Sequence, residues 1–334
     1  MIIKIVNVLI IFLFLHSPAF AIDNPHVEEI LITESRTYYK TKQTWQNVYH
    51  NLTKNDKTIR GATFIAPIKG NGYNDPKHKN GARNTIIFVP KDTRFDGEPI
   101  DVIFYFHGLG GFKERDFNTR VLRHTKYFKE SGKNFIIVIP EMPWSKNTST
   151  PRKRQGRVFT KKHQFSTFVS GVVRTVITLF DPSPIRRNKC VVHNICQFDF
   201  GETVLLGHSA GGSALMSISR SGGLNWLYEK KNPFSIKIIF SDAGYGHWTE
   251  ITWRNFKPKG IRDLVGVEFI LLTRKWDKPY RNTKRFLKRF KNIPANIQHK
   301  VFNRKFTHAG IGDISFRWVY YLEESGCGEG ERYE

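Results

Sequence analysis

The chain predicts an α/β fold: a doubly wound, mostly parallel sheet of about eight strands with helices on both faces. Three observations predict it. Short apolar runs recur along the 334 residues, separated by segments with helical spacing. Strands that alternate with helices in this way pair in parallel. Two glycine-rich segments, His107-Gly108-Leu109-Gly110-Gly111 and Gly207-His208-Ser209-Ala210-Gly211, each follow such a run directly.

The elements follow in order. Residues 1–21 read as a signal peptide: Lys4 supplies the positive start, Ile5 to Leu15 is mostly apolar, and Ala19-Phe20-Ala21 is an A-x-A site. The apolar run is short for a membrane span, and no later segment is long and apolar enough for one. The expectation is an exported mature protein of 313 residues, secreted or periplasmic, with no transmembrane helix. Residues 22–60 are polar and aromatic without a clear period and read as an N-terminal extension. A single α/β domain spans 61–325, and 326–334 is a C-terminal tail.

Ala62 to Pro67, Thr85 to Pro90 and Pro99 to Phe106 read as the first three strands. A helix is expected over 120–129, then a strand over Asn134 to Pro140. Residues 142–162 form a long basic loop that could cover a site or engage a partner. Phe165, Phe168, Val172, Val176 and Leu179 recur at steps of three or four, which places them on one face of a helix. Val204-Leu205-Leu206 reads as a short buried strand, with a helix starting near Ser213. Strands follow over Ser235 to Phe240, Val267 to Leu272 and His299 to Phe302. Helices are expected over 282–291 and 314–322, and Lys305 to Gly310 is the last strand's exit loop.

The formal charge is +24, and +23 once Lys4 is removed with the leader. Basic residues gather at Arg152-Lys153-Arg154, Arg157 and Lys161-Lys162, and again from Arg281 to Lys305. That excess favours anionic partners, such as envelope polymers, lipid head groups or nucleic acid. No nucleic-acid module is visible. Export makes a Cys190–Cys196 disulfide the expected use of two of the three cysteines, with Cys327 left over. No Cys/His spacing suits zinc, so neither a metal nor a cofactor is expected.

A serine on a tight strand-to-helix turn is pushed outward with its hydroxyl exposed, and the flanking glycines allow the backbones to approach. The stretch from Gly207 to Gly211 in that setting resembles the nucleophile elbow of the α/β-hydrolases. His107 to Gly111, after its own strand, resembles the HGGG-type loop that supplies an oxyanion-hole amide in esterases and lipases. The resemblance covers about residues 60 to 322 and implies a serine hydrolase. Its order is Ser, then acid, then His. Ser209 matches the nucleophile, and His308, in the loop after the last strand, matches the base. Asp277, after the penultimate strand and 31 residues before His308, is the preferred acid, and Asp242 is the alternative. Leu109 and Ala210 are the expected oxyanion amides, with Gly108 as alternative. His208 is read as packing, His163, His193 and His247 as lying outside the triad loops. Tyr245, Trp248 and Trp276 flank the two candidate acids, where they line a cleft or fill the core.

An esterase acting on an acyl ester through an acyl-enzyme is the leading expectation. A serine peptidase of the same fold and a non-catalytic binding protein for anionic envelope components are the alternatives.

Overall fold

The structure is a computed structural model that describes residues 30–33, 36–39, 61–68, 83–90, 92–109, 128, 131–143, 158–256 and 266–320, apart from 182, 194, 195, 197 and 232–234. The expected leader, most of the 120–129 helix, Gly110 and Gly111, the middle of the basic loop, Cys327 and the tail lie outside the described residues.

Eight strands build one sheet: β3 (Gly61–Ile68), β4 (Arg83–Pro90), β5 (Ile100–Phe106), β6 (Phe135–Pro140), β7 (Phe200–His208), β8 (Ser235–Ser241), β9 (Val267–Arg274) and β10 (Ile297–Phe302). A separate antiparallel pair, β1 (Ile30–Thr33) and β2 (Arg36–Tyr39), lies in the segment read as aperiodic. Across the large sheet the order is β3-β4-β6-β5-β7-β8-β9-β10. β4 runs antiparallel to both neighbours and every other pairing is parallel. This is the α/β-hydrolase fold that the two motifs resemble.

The central strands are apolar on both faces, as parallel strands covered by helices must be. All seven residues of β5 and all six of β6 are buried. Alternation then divides them between two cores. Val102, Phe104 and Phe106 face the layer of α1 (Gln164–Phe180), where Phe165, Phe168, Val172 and Val176 are buried. Ile103 and Tyr105 face the other layer with Phe316 and Val319. The end of the basic loop belongs to the first core: Phe159 packs 6.0 Å from Phe106 and 5.4 Å from Phe165 between ring centroids. At the N-terminal ends of the strands, Lys237 Nζ lies 2.8 Å from Glu202 and donates to the Val319 carbonyl at 2.8 Å. The Tyr320 hydroxyl donates to Asp101 at 3.0 Å. These bonds pin the end of the described chain beneath the sheet.

The helices differ from the sequence reading at several places, among them residues 248–255, a helix the sequence reading did not expect. α2 (Pro184–Val192) occupies the loop before β7, capped by Ser183, whose hydroxyl accepts from the Arg186 N–H. α5 (Lys278–Leu287) starts four residues early, because Pro279 in its first turn is preorganised for a helix start. The last segment is α6 (His308–Ile314) followed by a 3-10 turn over Ser315–Val319, rather than one helix over 314–322. Between them come α3 (Gly212–Arg220) and α4 (Trp248–Asn255). Cys190 and Cys196 form a disulfide between α2 and the approach to β7.

Candidate active site

The site assembles where β5, β7, β8, β9 and β10 end, at the carboxyl edge of the sheet. Three successive neighbours, β7, β8 and β9, each exit through a non-glycine residue in the left-handed region: Ser209 at φ 53°, Asp242 at φ 45° and Trp276 at φ 74°. Such residues are strained, and strain of this kind gathers at functional sites.

Ser209 opens a short 3-10 turn that runs into α3. The glycines of the motif are steric requirements. A Cβ on Gly211 would lie 1.9 Å from the Phe106 carbonyl oxygen, and one on Gly207 would lie 2.9 Å from the Gly211 backbone. The turn can therefore fold back against β5 only without side chains there. The N–H groups at the start of this helix have no intrahelical acceptor, and the helix dipole favours negative charge at that end. The Ala210 amide is among them.

The loop after β5 passes directly beside Ser209, since a Cβ on Gly108 would stand 3.0 Å from the Ser209 Cβ. Its shape is set by His107, which is fully buried. Met142 donates its N–H to His107 Nε2 at 3.1 Å, so the ring proton sits on Nδ1 and is donated to the Gly108 carbonyl at 2.8 Å. With that carbonyl turned toward His107, the trans peptide points the Leu109 N–H the opposite way. Leu109 is thus the amide of this loop aimed outward, and Gly108 the residue that allows the approach.

His308 begins α6, where Thr307 caps the helix by accepting from the Gly310 N–H at 2.9 Å. Its Nδ1 lies 2.5 Å from Asp242 Oδ2. Asp242 is wholly buried, and its other oxygen accepts weakly from the Arg274 N–H at 3.5 Å. The carboxylate facing His308 is therefore Asp242, not Asp277, which corrects the preferred reading. Asp277 is held elsewhere: one oxygen takes Nε of Arg274 at 2.6 Å and Nη2 at 2.5 Å, and the residue opens α5. Arg274 also donates Nη1 to the Phe306 carbonyl at 3.4 Å, two residues before His308. The Arg274–Asp277 pair thus ties the β9 exit to the His308 loop.

His208 packs, as read from the sequence, and the structure shows against what. Its ring lies 4.8 Å from that of His308 between centroids, and its Nε2–H donates to the His308 carbonyl at 3.0 Å. Gly312 leaves room for it, as a Cβ there would stand 2.9 Å from the ring. The residue before Ser209 is in this way the floor on which His308 rests. Sequence reasoning missed that link.

Tyr245 lies in the same turn as Asp242 and close to Ser209. Burial first, then the Asp242 carboxylate, raises the Tyr245 hydroxyl above its ordinary range, so it stays protonated at neutral pH. Trp248 stacks edge-on to Tyr245 at 5.7 Å, while Trp276 stands exposed. His247 pairs with Glu250 at 3.2 Å.

No protein-family model and no curated protein matches the chain. Solved structures do. A feruloyl esterase module from Clostridium thermocellum is 13% identical over 82% of this chain and 93% of that one, with a TM-score of 0.45. An S-formylglutathione hydrolase from Agrobacterium tumefaciens is 13% identical over 78% and 94%, with a TM-score of 0.44. A thermostable esterase is 13% identical over 79% of this chain, with a TM-score of 0.40, and the chain spans 60% of its length.

Proposed function

We propose that the chain is an exported serine hydrolase that cleaves a carboxylic ester through an acyl-enzyme on Ser209. The observation that carries this reading is the 2.5 Å pair of His308 and buried Asp242, with His308 resting on His208, the residue just before the strained Ser209 turn. Asp242 accepts the Nδ1 proton of His308 and leaves Nε2 free of its proton, the tautomer a general base needs. Ser209 Oγ attacks the ester carbon as its proton passes to His308 Nε2. The carbonyl oxygen gains the negative charge and meets the Leu109 and Ala210 amides. His308 then gives the proton to the departing alkoxide, and the alcohol leaves. A water, deprotonated by His308, attacks the acyl carbon, and collapse returns the proton to Ser209.

Two features support export: the leader-like start of the chain, and the Cys190–Cys196 disulfide, which suits an oxidising compartment. The large positive charge supports an ester carried on an anionic envelope polymer or lipid.

Hydrolysis of p-nitrophenyl acyl esters by the mature protein tests the reading. Turnover that disappears in Ser209→Ala is the expected result. Turnover equal in wild type and Ser209→Ala sinks it, and cleavage of peptides but not esters replaces it with a serine peptidase.

A further inference from the structure

Among the described residues four large apolar side chains stand exposed: Leu109, Ile185, Trp276 and Ile293. Two of them flank the site. Leu109 leaves β5 on one side of Ser209. Trp276 leaves β9 on the other, two residues past the Arg274 N–H that faces Asp242.

Trp276 is 56% exposed and holds the left-handed φ of 74°. Glycine or asparagine would sit there with less strain, and an exposed indole adds nothing to the core. The side chain is nonetheless braced. Tyr280 meets it at 6.4 Å between centroids, and Lys275 Nζ stands 5.8 Å from the ring centre. Lys278 and Arg281, exposed on the first turn of α5, extend the basic border. The acid in this group, Asp277, is held by Arg274.

We propose that Trp276, bordered by Lys275, Lys278 and Arg281, is a binding subsite for an acidic polysaccharide that carries the scissile ester. The inference rests on the ester-hydrolase reading of the site. A flat indole offers an apolar π face on which the C–H face of a sugar ring stacks, while the cations around it take carboxylates of the same polymer. The charge of +24 complements a polyanion. A single braced indole accepts one ring. It does not provide the broad apolar face with which a protein lies on a bilayer.

Two measurements test this. The first is binding of unesterified polygalacturonate to the mature protein by isothermal titration. Trp276→Ala should weaken it about tenfold or more, as loss of a buried Trp contact does at other interfaces. Lys278→Glu combined with Arg281→Glu should weaken it likewise. Ile293→Ala, which removes an exposed apolar side chain just before β10 and so at the opposite edge of the sheet, should bind as wild type. The second is hydrolysis of O-acetylated polygalacturonate against p-nitrophenyl acetate. Trp276→Ala should lower kcat/KM on the polymer about tenfold more than on the small ester. Equal binding by wild type and Trp276→Ala, or equal losses on both esters, overturns the proposal. So does wild-type binding to phosphatidylglycerol vesicles without binding to polygalacturonate, which would assign the surface to lipid. If wild type cleaves neither ester, the hydrolase reading fails and the binding measurement alone decides the subsite.

Discussion

The imidazole of His308 and the carboxylate of Asp242 meet at 2.5 Å, across 66 residues of chain. Asp277, 31 residues before His308, meets Arg274 instead. The two carboxylates should therefore behave differently. Asp242→Asn removes the acceptor that selects the His308 tautomer, and kcat for an acyl ester should fall by about 10⁴-fold, as in the serine-protease triad. Asp277→Asn loosens a half-exposed ion pair worth about 1 kcal/mol or less, and kcat should fall less than about tenfold. Steady-state kinetics on both variants checks this. A larger loss in Asp277→Asn would reverse the assignment.

That assignment shows where the sequence was legible and where it was not. All eight strands of the large sheet lie where apolar runs mark them, and in the central ones burial on both faces leaves little choice of residue. Ser209, His308 and the loop after β5, proposed here as nucleophile, base and oxyanion loop, stood out in the sequence for a related reason: glycines crowded by backbone and the chain order of the resembled fold constrain local sequence. The choice of acid depends instead on which carboxylate the fold carries to His308, and both follow a strand end. One local signal did exist. Arg274 stands three residues before Asp277, and an i,i+3 pair of opposite charge already gives that carboxylate a partner. The β1–β2 pair was missed because four-residue strands are too short to show a period, and the early start of α5 because Pro279, rather than the apolar stripe, marks it.

His208 supports His308 through ring contact and through its bond to the His308 carbonyl. His208→Ala should lower kcat roughly tenfold to a hundredfold by loosening the base, with little change in KM for a small ester. It should also shift the pH profile of kcat, which a purely structural loss would leave in place. A kcat within twofold of wild type and an unshifted profile would remove His208 from this role.

The elbow glycines should divide sharply from surface ones. Gly211→Ala drives a methyl group into the Phe106 carbonyl, where backbone on both sides cannot yield, and should cost about 3 kcal/mol or more. Gly222→Ala meets nothing within 4 Å and bears only its φ of 79°, which costs about 1 kcal/mol. Urea melts of the two variants compare the values directly. Similar losses in both would contradict the close packing of the turn against β5.

His299, on β10, is half-buried, and its Nε2 lies 2.8 Å from the Thr273 hydroxyl. Burial first, and the charge of Lys284 next, lower its pKa from 6.5 to about 4. The folded value lies below the unfolded one, so the neutral ring is the form that folding favours. Its contribution is fully present above pH 6.5 and is lost as pH falls toward 4, because the unfolded chain takes up a proton that the folded one refuses. The loss should reach roughly 3 kcal/mol at the acid end. Urea midpoints measured from pH 7 to pH 4 should fall more steeply for wild type than for His299→Gln. Parallel curves would show that His299 titrates alike in both states.

Reaction of the mature protein with a fluorophosphonate, followed by intact mass, addresses the nucleophile itself. Wild type should gain a single adduct on Ser209. Ser209→Ala should gain none, and Asp242→Asn should react far more slowly than Asp277→Asn. An unlabelled wild type, or an adduct that persists in Ser209→Ala, would contradict the account.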